Sequence, residues 1–308
     1  MKIAVMGSGG VGGYFGARLA ASGNDVTFVA RGAHLEAMRR TGLRLDSELG
    51  ALHLDPVQVV ADAREIAAAD AILFAVKMRD TESAARSLEP LVAKAAAVFT
   101  FQNGVESAER LGKAIGVGNV VPGVARIGAH ISEPGVIKQT GRFCSLEFAE
   151  GHGKPSARTA ALLVACERAG IQAVIPPNIG REVWMKFGML APLSGMTALT
   201  RGPIGPVRAN PQSRALLEAA VKETVAVGVA LKTGLRPADA GDLMKLLDGF
   251  PASLMASMAH DLLAGKPIEL DGLSGAVARL GKACGVPAPT HTFIAQALAP
   301  FVDGRPKP

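Results

Sequence analysis

Lys2-Ile3-Ala4-Val5-Met6-Gly7-Ser8-Gly9-Gly10-Val11-Gly12, near the start of the chain, decides the fold. Residues 2–6 are a short apolar run that stops at glycines, which predicts a buried strand. From Gly10 to Ser22 the period changes: Val11, Phe15 and Leu19 fall on one helical face, and Gly23-Asn24 ends it. Gly7, Gly9 and Gly12 between them fit G-x-G-x-x-G. In a strand–turn–helix setting this spacing has a physical meaning. Gly7 permits a tight turn, Gly9 lets the backbone approach a pyrophosphate, and Gly12 lets helix and strand pack closely. The loop, including Ser8, Gly10 and Val11, would offer free N–H groups and the positive end of a helix dipole to phosphates.

Outward from this motif, residues 25–30 predict a second strand and 33–41 a helix. Residues 43–60 alternate as a small hairpin or irregular β segment, and 71–76 and 98–101 are further buried strands. Helical patterns lie at 80–94 and 105–114. This order predicts a Rossmann-type α/β domain, a doubly wound parallel sheet with helices on both faces. Residues 119–150, with turns at Pro134-Gly135 and Thr140-Gly141, predict an antiparallel extension. A helix at 156–169 and a strand at 171–175 follow. Ile175-Pro176-Pro177-Asn178 interrupts the pattern, because two prolines forbid a continuous helix. Beyond it only helices are expected, at 179–199, 211–234, 237–247, 252–264, 269–284 and 290–301. Two domains follow: 1–176, binding the nucleotide, and an all-helical 177–308 for substrate and dimerisation.

The composition narrows the function. With 49% apolar and 19% charged residues the chain is globular rather than disordered. The formal charge of +6 comes from scattered residues without an aromatic-interleaved basic stretch, so no nucleic-acid partner is expected. No long uncharged apolar run is present, so no membrane span is expected. Five glycines between Gly7 and Gly13 also argue against reading the N-terminus as a signal peptide. Cys144, Cys166 and Cys284 match no metal or redox spacing and suit a reducing, cytoplasmic setting. The six histidines form no ligand pattern, so no metal is expected. A homodimer is compatible with a helical domain of this size.

The end of the second strand bears on the cofactor. Folds that choose NAD usually carry an acid there to bind the ribose hydroxyl. Here Arg31 follows Val29-Ala30, and a guanidinium can clamp a 2′-phosphate, so NADP(H) is the expected cofactor. Arg39 or Arg40 could add charge. Lys77 and Asn103 follow predicted strands, in the zone where ligands of open α/β sheets bind.

Taken together, these residues resemble the ketopantoate reductase (2-dehydropantoate 2-reductase) family. The resemblance runs through the glycine loop, Val29-Ala30-Arg31, Val76-Lys77 and Gln102-Asn103-Gly104-Val105. It continues in Trp184-Met185-Lys186, Ser257-Met258, Ile268-Glu269-Leu270-Asp271-Gly272 and Gly285-Val286-Pro287-Ala288-Pro289-Thr290. It implies hydride transfer from NADPH to the keto carbon of 2-ketopantoate, giving pantoate for coenzyme A synthesis. By position, Lys186 matches the catalytic lysine and Glu269 a catalytic acid that contacts the substrate and the lysine's surroundings and belongs to the cofactor site as well. Ser257 matches a serine that binds the substrate carboxylate, Asn103 an asparagine near nicotinamide and substrate, and Lys77 a lysine of the cofactor site. Negative charge growing on a carbonyl oxygen needs an acid or cation, which Lys186 can supply.

The chain departs from the family pattern Lys-x-x-x-Asn-x-x-x-Asn-x-x-Thr-Ala. Leu190 and Ser194 replace the asparagines ahead of Thr197-Ala198, and Ser274 stands where the family tends to have asparagine. Residues 186, 190 and 194 would share a helix face, with Pro192 and Gly195 expected to disturb that helix. Ser194 and Ser274 are then candidate substrate contacts in a more apolar pocket, which suits a related, more apolar 2-keto acid. Two other readings are an NADPH-binding sensor without turnover and a 3-hydroxy acid or opine-type dehydrogenase.

Overall fold

The computed structural model describes residues 1–306. They divide into two compact units: 1–102 with 106–179, and 103–105 with the residues from Gly180 onward.

The first unit opens with β1 (Lys2–Met6), α1 (Gly10–Ala21), β2 (Asp25–Val29) and α2 (Gly32–Thr41). Then come β3 (Leu43–Ser47), β4 (Leu52–Leu54), β5 (Gln58–Val60), β6 (Ala71–Phe74), α3 (Thr81–Ser87), α4 (Glu89–Val92), β7 (Ala97–Thr100) and α5 (Ser107–Ile115). It ends with β8 (Val120–Glu133), β9 (Val136–Phe148), α6 (Ala157–Arg168) and β10 (Gln172–Val174). The parallel strands run β5-β2-β1-β6-β7-β8, which in chain order of those six is the 3-2-1-4-5-6 arrangement of dinucleotide-binding folds. The sheet then curls on through the antiparallel β8–β9 hairpin to β3 and β4.

Alternation along the strands builds two cores. Ile3 and Val5 of β1, Leu73 of β6 and Phe99 of β7 face one side, with Phe15 of α1. Ala4, Met6, Ile72, Phe74 and Val98 face the other, with Leu88 and Leu111. Both faces are covered, which is why these strands read as continuous apolar runs rather than as alternating ones.

The second unit is helical. It holds α7 (Ile179–Thr200), α8 (Ile204–Ala209), α9 (Pro211–Ala230), α10 (Asp239–Gly249), α11 (Ser257–Leu263), α12 (Ser274–Cys284) and α13 (Pro289–Leu298). Contrary to expectation, α7 runs unbroken through Pro192 and Gly195. A Cβ at Gly195 would lie 2.9 Å from the Ile294 side chain and 3.1 Å from Ser274 Oγ, so the glycine serves close packing of α7 on α12 and α13. The helix forecast at 269–284 begins only at Ser274, and the one at 252–264 only at Ser257. Among the described residues, no helix is long and apolar enough to cross a membrane.

One ion pair anchors this unit. Asp239, with 1% of its side chain exposed, accepts from Arg181 Nη1 and Nη2 at 2.6 and 2.9 Å and from the Arg236 N–H at 2.7 Å. Those bonds, led by Arg181, hold its carboxyl well below the usual carboxylate range. Asp239→Ala removes the carboxylate from Arg181, which keeps Gly234 O as an acceptor at 2.6 Å, and is expected to cost about 1.5–3 kcal/mol, read as a lowered urea midpoint.

Candidate active site

The glycine loop joins β1 to α1 in the first unit. Gly7 has φ +97°, and a Cβ there would sit 2.8 Å from Val76 N, so only glycine lets the chain pass the segment after β6. A Cβ at Gly12 would fall 2.2 Å from Gly7 O. At Gly9 nothing lies within 4 Å of the Cβ position, so the backbone is open to an approaching ligand there. Gly9 is also the N-cap of α1 and provides no side-chain cap, leaving the first-turn N–H groups of Gly10 and Val11 for an anion. Ser8 is buried, its N–H and Oγ both donating to Val29 O at 3.3 and 2.9 Å. This cradle fits the pyrophosphate of a dinucleotide.

A cavity of about 300 Å³ lies beyond the carboxyl ends of β1, β2 and β5, lined by Met6, Val29, Arg31, Asp62, Arg64 and Arg86 among others. Arg31 is exposed at the N-cap of α2. Arg64 is locked onto Asp62, with Nε–Oδ1 at 3.0 Å and Nη2–Oδ2 at 2.5 Å. That bond, helped by the Arg64 N–H, holds the Asp62 carboxyl down to about 2. Three guanidiniums thus face one carboxylate that is already engaged. Arg39 is not among the lining residues and pairs with Glu36 at 3.7 Å. Lys77 is exposed at the start of the short turn Met78–Asp80 that follows β6.

In the second unit, Trp184 and Phe187 pack edge to face at 5.4 Å and fix α7 in the helical core. Lys186, half-buried between them in sequence, donates from Nζ to Asn103 Oδ1 at 2.9 Å. Val105 packs against the same helical core, which ties the segment 103–105 to this unit. Glu269 is half-buried between buried Ile268 and Leu270, ahead of α12 rather than on it. Ser257 is exposed at the first position of α11.

Two residues expected to contact substrate lie buried in the helical core. Ser274 is fully buried, with its Oγ 3.2 Å from His291 Nδ1; His291 Nε2 lies 2.9 Å from Ala220 O and 2.8 Å from Thr224 Oγ1. Ser194 is also fully buried, and its Oγ has no hydrogen-bond partner among the described residues. Both are core positions here because the close approach of α7 to α12 leaves neither hydroxyl open to solvent.

The ketopantoate reductase PanE/ApbA family model matches residues 3–152, and its C-terminal counterpart matches residues 178–301. The chain belongs to the ketopantoate reductase family. A 2-dehydropantoate 2-reductase of Mesorhizobium japonicum is 32% identical over 312 residues, covering 94% of each chain. The structure of a PanE/ApbA family ketopantoate reductase from Ralstonia eutropha superposes with a TM-score of 0.90 at 30% identity, covering 98% of this chain and 99% of that one. A D-mandelate dehydrogenase solved with NADH and anilino(oxo)acetate, 22% identical with a TM-score of 0.88 over 98% of both chains, shares the fold. The ketopantoate reductase family is one of oxidoreductases, and its Rossmann-like fold implies a nicotinamide cofactor.

Sequence reading missed Asp62, Arg64 and Arg86 in the cavity. They carry no motif, and only the pairing of β5 with β2 brings residues 60–64 beside Arg31. His34, which hydrogen-bonds the glycine loop, was likewise without a signal of its own.

Proposed function

We propose that this chain reduces a small 2-keto acid, 2-ketopantoate or a close relative of it, to the 2-hydroxy acid with NADPH. The observation that carries the reading is Lys186 held 2.9 Å from Asn103, in a chain whose first unit carries the glycine cradle. The nicotinamide supplies a hydride when bound; the chain's own residues do the rest. Lys186 presents a proton at Nζ to the carbonyl oxygen as negative charge grows there, which yields the hydroxyl. Asn103 Oδ1 occupies one of the three Nζ donors and so limits where the remaining protons point. With Oδ1 facing the lysine, the Asn103 amide is left to donate. Ser257 and Glu269 are assigned to the substrate carboxylate and to the lysine's surroundings, on the strength of the family pattern. The arginine cavity supports NADPH over NADH, because its excess positive charge matches a phosphate monoester better than a ribose hydroxyl.

The test follows loss of NADPH absorbance with 2-ketopantoate and with apolar 2-keto acids such as 2-ketoisovalerate. Turnover with at least one of them supports the reading, and their ranking reports what Leu190 does to specificity. Tight NADPH binding without turnover on any 2-keto acid would overturn it in favour of a sensing role.

A further inference from the structure

His34, on the first turn of α2, links two segments that are far apart in sequence. Its Nε2 lies 2.9 Å from Ser8 O, and its Nδ1 accepts from the Gly135 N–H at 3.0 Å. Gly135 is the turn residue of the β8–β9 hairpin, with φ +82°, and its own carbonyl accepts from the Arg44 N–H at 2.9 Å. The partners fix the tautomer. A backbone N–H can only donate, so Nδ1 is bare, and the single ring proton sits on Nε2 and is donated to Ser8 O.

The consequence falls on the cofactor loop. Ser8 C=O and Gly9 N–H belong to one trans peptide plane and point in opposite directions. Holding the carbonyl towards His34 therefore turns the Gly9 N–H the other way. The space around Gly9 is open at the Cβ position, whereas the Ser8 N–H and hydroxyl are already spent on Val29 O. We propose that His34 is a positioning residue for the dinucleotide loop, its neutral ring orienting the Ser8–Gly9 peptide so that the Gly9 N–H meets the cofactor's pyrophosphate. The proposal rests on the reading of this loop as the dinucleotide site.

Protonation undoes the arrangement, because an Nδ1–H would face the Gly135 N–H donor to donor. Burial holds the ring's pKa below its ordinary value, with the Ser8 carbonyl opposing in part. The neutral form therefore prevails at neutral pH and is lost only in acid, below the range where an ordinary imidazole takes its proton. The surrounding elements bring Glu36, Arg39 and Arg40 on α2, and Tyr14 and Arg18 on α1. The hairpin brings His130, Glu133 and Lys138, and β3 brings Arg44, paired with Glu133 at 3.1 Å. Both ring nitrogens are occupied by backbone groups, so none of these side chains replaces either bond.

The experiment measures NADPH and NADH dissociation constants by fluorescence for wild type, His34→Ala and His34→Gln, between about pH 7.5 and about pH 5.5. Glutamine can accept from Gly135 and donate to Ser8 without titrating. His34→Ala is expected to weaken binding on the order of tenfold. His34→Gln should match wild type near neutrality and lose less affinity than wild type in acid. The cofactor's own 2′-phosphate titrates near pH ~6, equally for both proteins, so the difference between the two profiles isolates the ring. If His34→Ala does not fold, the wild-type and glutamine profiles decide alone. Wild-type affinity in His34→Ala, or coincident pH profiles for wild type and His34→Gln, would overturn the proposal while leaving the dinucleotide site standing. Failure of wild type to bind either dinucleotide would remove both.

Discussion

Lys186→Ala is expected to lower kcat for 2-keto acid reduction by a factor on the order of a hundred to ten thousand, with NADPH affinity almost unchanged. The two effects separate because the residues assigned to the dinucleotide loop lie in the first unit, whereas Lys186 and Asn103 lie in the second. A proton donor acts mainly as charge develops on the carbonyl oxygen, so its loss falls on kcat and kcat/KM together. Lys186→Arg should not rescue the rate, since a guanidinium keeps its proton and presents a planar fork where a compact ammonium stood. Asn103→Ala should be milder, about tenfold, because Nζ remains but is no longer held at one oxygen. Stopped-flow turnover alongside cofactor titration and thermal melting checks all three variants. A Lys186→Ala enzyme that turns over like wild type would remove the lysine from the mechanism.

What could be read in the sequence follows from which forces act locally. The β1–loop–α1–β2 unit was legible because its strand, its glycines and its helix each carry their own signal within 29 residues, and the observed bounds Lys2–Met6, Gly10–Ala21 and Asp25–Val29 follow them closely. The stretch 43–60 was legible as β but not as topology. Leu43–Ser47 and Leu52–Leu54 pair as a hairpin, while Gln58–Val60 leaves them to join β2 in parallel, and alternation is the same for either neighbour. Helix α8 falls in the gap between the helices expected at 179–199 and 211–234; Pro203 is its N-cap and Pro206 falls in its first turn, where a missing N–H costs nothing. The forecast helix at 80–94 divides at Leu88, just before Glu89-Pro90. In the site, Lys186 and Asn103 were singled out separately, but 83 residues divide them and only the structure shows their bond. His34 and Gly135 are 101 residues apart, and nothing local to either anticipates their contact. Ser194 and Ser274 went the other way: a helix face suggested the first as a ligand contact and the family pattern the second, and the close packing of α7 on α12 and α13 buries both.

Arg31→Ala is expected to weaken NADPH binding by one to two orders of magnitude, the value of a charge-assisted contact to phosphate, while leaving NADH binding nearly as it was. The fold does not make this choice, since the D-mandelate dehydrogenase that shares it was solved with NADH. The choice must rest on side chains at the ends of β1, β2 and β5. There the cavity counts three guanidiniums against Asp62, whose two oxygens are already bonded to Arg64. Asp62 is therefore charge-compensated by Arg64, and on the proposed reading it is not expected to serve as the ribose-binding acid of NAD-selective folds. Arg86, on the last turn of α3, lines the cavity without such a partner in it and should add about tenfold to the NADPH preference. Arg64 contributes through a geometry that Asp62 fixes, so Asp62→Ala is expected to erode NADPH selectivity despite removing a negative charge. That sign discriminates between mechanisms. If the cavity worked by net charge alone, deleting Asp62 would tighten NADPH binding; if Arg64 must be held in place, the same deletion loosens it. Titration of wild type and the four variants Arg31→Ala, Arg64→Ala, Arg86→Ala and Asp62→Ala with NADPH and NADH decides between them. Equal affinity of wild type for the two cofactors would remove the 2′-phosphate from the account altogether.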